Sequence, residues 1–345
     1  FPLLAVGEAG VLYPPHLILY RLLPPLWAYN ANVLLAVGAS AVCMYLLCRD
    51  YGRSRAASIL GGLAYSSSGF VLVHLATLHS IQAASWAPAL LLMVRRGVRS
   101  RRLAPWIRAG VLLAVMVTTG YPQVVYYSLV AAAFVGVWEY GSAGGWGWRR
   151  PRRGSAVDAA AAGTPFPSGS RGSILYALLA GGLAAGLSAA HWLPGLELTR
   201  LSGRRAGLDF ETATFFSYPP ANLLTFVAPY AFGNPARGEN QDWSPGGHFW
   251  DNGYVGLVPL ALALFAVAAG ARRDRRILGL ALLLLFALGI VLGPHTPFFR
   301  LLWHALPGMS FFRFPSRFMF AATLALAALA AFGLDLLRAR LAGQR

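Results

Sequence analysis

The sequence predicts an all-α polytopic membrane protein, and three observations carry that reading. Of its 345 residues, 57% are hydrophobic and only 12% are charged, against about 45–50% and about 25% in soluble domains. Apolar runs close to the length of a bilayer-crossing helix, about 20 residues, recur along the whole chain. The arginines gather in clusters that follow alternate runs. Half the usual charge cannot coat a soluble sphere of this size, but it suffices where lipid covers most of the surface.

Residues 1–27 read as an exterior segment, and 28–140 as five spans, at 28–48, 56–74, 77–94, 103–119 and 123–140. Pro88 and Arg108 interrupt the third and fourth; a proline is tolerated there when neighbouring helices satisfy the freed carbonyl. The stretch 141–172 is rich in Gly, Ala, Ser, Pro and Arg with no apolar period, the composition of a flexible cytoplasmic linker. A sixth span follows at 173–193, then an exterior loop at 194–252 rich in Trp, Phe, Tyr and Pro. Loops this long and aromatic hold short helices at the interface rather than serve as connectors. Two spans at 253–271 and 276–293, an exterior loop at 294–316, and a last span and tail at 317–345 complete a count of nine.

Arginine placement tests the count. Short cytoplasmic loops are enriched in basic residues, and 21 of the 29 arginines fall after odd-numbered spans. A net charge of +17 raises the question of nucleic acid. Lysine is absent and the arginines sit between apolar runs, so the pattern is that of membrane topology and predicts no nucleic-acid partner. No Walker loop, dinucleotide fingerprint, HExxH or GxSxG is present, which removes the common soluble-enzyme classes. Cys43 and Cys48 lie five residues apart in one run, on different helix faces, and predict neither a disulfide nor a metal pair. Gly61-Gly62 and Gly181-Gly182 fall inside spans, where close helix packing is the ordinary role.

The chemistry-bearing residues collect on the exterior side. Glu8, His16, His79, Arg313 and Arg317 are among them, with Glu239, Asp242, His248 and Asp251 in the long loop. His74 and His191 sit at exterior ends of spans and are expected at the membrane interface. Arg313-Phe314-Pro315-Ser316-Arg317 places two guanidiniums at the mouth of the last helix, on the side where positive charge is sparse. Guanidinium forks match phosphate bidentately, so the pair reads as a phosphate seat; ion pairing with a loop carboxylate is the alternative.

Several motifs resemble those of the bacterial YfhO-like membrane proteins. Tyr13-Pro14-Pro15-His16-Leu17 is similar to that family's YPPNL, and Gly120-Tyr121-Pro122-Gln123 to its GHPQ turn. The stretch from Leu223 to Tyr230, followed by Phe232-Gly233-Asn234, resembles its LLTLxAPYxFGN. Phe312-Arg313-Phe314-Pro315-Ser316-Arg317-Phe318 looks like its FRxPxRF, and Gly333-Leu334-Asp335 like its GLD. The resemblance implies a GT-C-like helical bundle under an exterior loop and helix layer. It implies transfer of a sugar from a polyprenyl-phosphate donor to a glycan or lipid acceptor, outside the cytoplasm of a bacterial plasma membrane. It also implies a further span and loop ahead of Phe1, carrying the main acidic residue.

Two positions depart from the family pattern: His16 stands where Asn is usual, and Tyr121 replaces the His of the turn. Within this sequence Glu8 is the catalytic carboxylate candidate, and Arg313, Arg317, Gln123, His16 and His79 are the substrate-binding candidates. No cofactor is evident, and a divalent metal could assist. The rival readings are a lipid-linked glycan flippase and a non-catalytic membrane subunit. Span centres almost free of charge favour surface chemistry over transport.

Overall fold

A computed structural model of the protein describes residues 3–6, 8–142, 170–233 and 252–343. Most of the expected linker, and Glu239, Asp242, Trp243, His248, Phe249, Trp250 and Asp251 of the long loop, lie outside them. Every regular element among the described residues is a helix. They are α1 (Leu3–Val6), α2 (Pro14–Leu22), α3 (Pro25–Asp50), α4 (Arg55–Ser66), α5 (Gly69–Val73), α6 (Leu78–Ser100), α7 (Leu103–Thr118) and α8 (Pro122–Ser142). Then come α9 (Ser170–Leu187), α10 (Ala189–Leu201), α11 (Phe210–Thr214), α12 (Leu257–Gly270), α13 (Arg275–Val291), α14 (Pro297–Ala305) and α15 (Met319–Leu341).

Local chemistry sets these boundaries. Prolines open α2, α3, α8 and α14, where the missing N–H has no partner to lose. Ser54, Asp209 and Asp274 accept backbone N–H groups at the starts of α4, α11 and α13, the ordinary N-cap role. The last span of the first group is preceded by Gly120, whose φ of 86° makes the turn.

The core is built around α15. Its residues from Met319 to Gly333 are all buried, as expected of a helix that is apolar all round. Helices α4, α12 and α13 pack against it, while α3 packs on α4 and α6, and α6 on α7 and α8. Glycines set the closest approaches. A Cβ on Gly333 would run into the Leu262 carbonyl, and one on Gly62 would meet the Ala41 carbonyl at 2.7 Å. The packing role expected of Gly61-Gly62 is therefore present. Gly181 and Gly182 differ, since a Cβ on either meets nothing within 4 Å.

Among the described residues, four stretches are long and apolar enough to cross a bilayer: Pro25–Asp50, Arg55–Ala76, Pro122–Ser142 and Pro315–Leu341. The run expected as one straight span at 173–193 is instead broken, bending by 83° between Gly172–Leu187 and Ala189–Leu201. At the break the Ser188 hydroxyl donates to the Ala184 carbonyl at 2.7 Å, and Trp192 Nε1 donates to that of Ala185 at 2.9 Å. The Trp192 indole thus takes up the Ala185 carbonyl, while Ala184 keeps its helical bond from Ser188 N at 3.0 Å and gains the hydroxyl. Helices α7 and α12 are apolar but shorter, and α6 carries Arg95, Arg96 and Arg99. Helix α12 begins four residues after Gly253 because that glycine lies under the Phe226 ring and Gly256 has a φ of 95°.

At the arginine-rich end, ion pairs tie the bundle together. Buried Arg95 pairs with Asp50 and, at 2.7 Å, with Glu139, and its guanidinium lies 4.1 Å over the Tyr51 ring. Arg96 reaches Asp50 at 2.6 Å and Arg99 approaches Glu139 at 3.8 Å. Asp335 of the GLD-like segment accepts from the Ser54 N–H and hydroxyl at 2.9 and 2.6 Å, which fastens the end of α15 to the start of α4. His74 and His191 are buried against other parts of the protein, and Cys43 and Cys48 are free and buried.

Candidate functional site

At the opposite end, four segments distant in sequence converge. The first is the turn before α15. Phe314 has a φ of 61°, a left-handed conformation that costs a non-glycine residue roughly 1–2 kcal/mol. Its surroundings hold it there. Gln123 Nε2 donates to the Arg313 carbonyl and, at 3.1 Å, to that of Phe314. The Phe314 ring stacks on Phe216 at 4.4 Å, and the Ser316 hydroxyl donates to the Phe216 carbonyl at 2.9 Å. A 3-10 turn, Pro315–Phe318, then leads into α15.

This turn brings the two arginines to one ring. The Arg313 and Arg317 guanidiniums lie 5.2 and 4.9 Å from the Phe314 centroid. Arg317 also lies 5.1 Å over Tyr121, which in turn packs on His79 at 4.8 Å. Half-buried Arg317 has no ion pair among the described residues. Glu8 is close enough for its charge to act on both Arg317 and His79. Of the carboxylates the alternative reading invoked, Asp209 instead caps α11 by accepting from Thr212 N at 2.9 Å.

The second support is the N-terminal turn. His16 Nδ1 donates to the Gly10 carbonyl at 2.9 Å, which leaves Nε2 to accept from the Gln82 amide at 2.8 Å. Burial pushes the His16 pKa below its ordinary value, with the Gly10 and Ala9 carbonyls acting in the opposite sense. The ring is therefore neutral, and both its nitrogens are engaged. Trp86 Nε1 donates to the Tyr13 hydroxyl at 3.0 Å. Gly10, at a φ of 55°, sits so close to Thr119 that a Cβ would meet its carbonyl at 3.0 Å. These contacts hold the turn that follows Glu8 against Thr119, next to Gly120.

The structure thus gathers Glu8, His79, Arg313 and Arg317, while Gln123 Nε2 and both His16 nitrogens hold the loops that present them. Tyr121 and Gln82 belong to the same site and were missed as site residues. A signal for Gln82 existed: His79, Gln82 and Trp86 recur at i, i+3 and i+7, one face of a helix. Tyr121 was marked only by its place in the GHPQ-like turn, because an aromatic that covers a guanidinium otherwise looks in sequence like any other aromatic. Among the described residues no three of His, Cys, Asp and Glu come together as a metal-binding group.

No curated protein and no solved structure matches the chain. The family model for the bacterial membrane protein YfhO matches residues 25–341. That span contains the arginine turn, Tyr121, Gln123 and the GLD-like segment, and the chain belongs to the YfhO family of bacterial membrane proteins.

Proposed function

We propose that the protein is a multi-pass glycosyltransferase of the GT-C type in a bacterial plasma membrane. It moves a sugar from a polyprenyl-phosphate donor to a glycan or lipid acceptor on the extracytoplasmic face. The observation that carries this reading is Arg317, half-buried between Tyr121 and Phe314 with no carboxylate pair among the described residues. A guanidinium so placed keeps its charge and has donors left for a phosphate.

In this reading the acceptor hydroxyl attacks the anomeric carbon as the bond from that carbon to the phosphate oxygen breaks. Glu8 takes the hydroxyl proton. Arg313 and Arg317 stabilise the negative charge that grows on the departing polyprenyl phosphate. His79 and Tyr121 fix the orientation of Arg317. Nine spans, with the arginine-rich end cytoplasmic, complete the proposal. They put Glu8, Arg313 and Arg317 outside and the Arg95 network inside.

Purified protein given a radiolabelled polyprenyl-phosphate sugar and a membrane acceptor fraction tests the chemistry. Label should pass to the acceptor with release of polyprenyl phosphate. Movement of intact donor across a vesicle without bond cleavage would establish a flippase instead. Topology is tested with cysteines at Gly203 and Ala342, both in exposed surroundings, which should label from opposite sides of intact cells.

A further inference from the structure

We propose a second phosphate-binding site, at the arginine-rich end of the bundle, that takes the headgroup of an anionic phospholipid. A cavity of about 600 Å³ lies there between α12, α15 and the turn joining α3 to α4. Its volume is within the range of small-ligand pockets, about 300–1,000 Å³. Arg53, Arg273 and Arg340 line it together with one carboxylate, Asp274, while Ile277, Phe332 and Leu336 supply apolar wall.

The charges in the cavity do not cancel. Asp274 is taken by Arg276, at 3.0 and 2.8 Å through Nε and Nη2, and by the Arg276 backbone N–H. Asp335, the nearby carboxylate of α15, accepts two hydrogen bonds from Ser54 and lies 3.5 Å from Arg53. Exposed Arg273 and Arg340 have no ion pair among the described residues. The Arg53 guanidinium is stacked 4.0 Å over Phe332, and its buried Nε has no hydrogen-bond partner among the described residues. A buried donor without a partner costs free energy, and a phosphate oxygen is the group that these three guanidiniums share as a preferred acceptor.

A lipid fits better than a soluble phosphate because of what adjoins the cavity. The surrounding helices end here: α3 at Asp50 and α15 at Leu341, both parts of stretches long enough to cross a bilayer. The headgroup layer therefore falls at this level. Helix α12 exposes Leu257, Val258 and Leu264 along its length, an apolar surface for an acyl chain. Basic pockets between membrane helices at their cytoplasmic ends are a recurring seat for anionic headgroups. A lipid held there would bridge α12, α15 and the α3–α4 turn, and so brace the bundle independently of any exterior chemistry.

The test uses the full chain, delipidated in a neutral detergent and titrated with phosphatidylglycerol or phosphatidylcholine. Native mass spectrometry counts bound lipid and a melting curve reads the stabilisation. Phosphatidylglycerol should bind at least about tenfold more tightly than phosphatidylcholine. Combined Arg273→Ala and Arg340→Ala should remove that preference. Arg272→Ala with Arg338→Ala, exposed arginines at the same end that do not line the cavity, should leave it intact. The melting point without lipid shows that each variant is folded. Equal loss in both double variants, or no preference in the wild type, would overturn the site. Displacement of the lipid by equimolar inorganic phosphate would overturn its assignment to a lipid.

Discussion

At one end of the bundle Arg95 is buried against Tyr51 and neutralised by Asp50 and Glu139. At the other, half-buried Arg317 rests against Tyr121 and Phe314, and no carboxylate is within ion-pair distance among the described residues. Both use an aromatic face, which attracts a guanidinium by about 0.5–2 kcal/mol. They differ in what neutralises the charge. Taking a cation out of water is costly unless an anion meets it, and at Arg95 the protein supplies that anion twice. At Arg317 no ion-paired carboxylate stands among the described residues. A paired arginine fixes architecture, whereas one held between rings with no ion pair among the described residues keeps donors free for the phosphate proposed above.

The widest gap between the two should appear in stability. Arg95→Ala leaves Asp50 and Glu139 partly or wholly buried without their shared cation, and removing one member of a buried ion pair costs about 3–5 kcal/mol. Thermal melting in detergent should fall by many degrees, together with the yield of folded protein. A melting point unchanged from wild type would show that Arg96 and Arg99 alone satisfy both carboxylates, and the contrast would collapse.

Arg317→Ala should act on the opposite quantity. It removes two cation–π contacts and no ion pair among the described residues, so stability should drop by only about 1–2 kcal/mol. Affinity for a polyprenyl-phosphate donor should fall about tenfold to a hundredfold, the scale of a lost charge-assisted hydrogen bond. Arg317→Lys keeps the charge and loses the planar fork, so it should recover only part of that affinity. Equilibrium binding of a fluorescent donor analogue to the three folded proteins decides the matter. Equal binding by all three would remove the phosphate role of Arg317.

Much of this contrast was legible before the fold. The clusters of arginine after alternate apolar runs marked one end of the molecule, and Arg313 and Arg317 stood out because the other end carries few. Glu8 and His79 could be named as candidates, but their meeting could not. It depends on Gly10 packing on the Thr119 carbonyl and on Phe314 adopting a left-handed turn, and neither contact has a local sequence signature. The pairing of Arg95 with Asp50 and Glu139 was equally hidden, since all three read as ordinary residues at the ends of spans. The broken run near Ser188 escaped for a different reason. Its apolar composition is continuous, and the bend is stabilised by a serine hydroxyl and an indole that composition does not register.

The smallest effect concerns the support of the Arg317 site and its pH dependence. Folded His16 has a pKa below its ordinary value because it is buried, so between that value and about 6.5 the unfolded chain binds more protons than the folded one. Stability from neutral His16 is therefore full above about pH 6.5 and declines as pH falls through the folded value. The loss should be modest. Gln82 Oε1 is buried without a partner among the described residues, and rotating that amide would offer Oε1 to a newly protonated Nε2. His16→Asn, the residue usual in the YPPNL-like motif, cannot titrate. Melting curves from pH 7.5 to pH 5 should fall more steeply for wild type than for His16→Asn, because the remaining histidines are common to both. Parallel curves would show that His16 keeps its ordinary protonation on folding, and that the Gly10–His16–Gln82 bracket is held by packing instead of by a neutral ring.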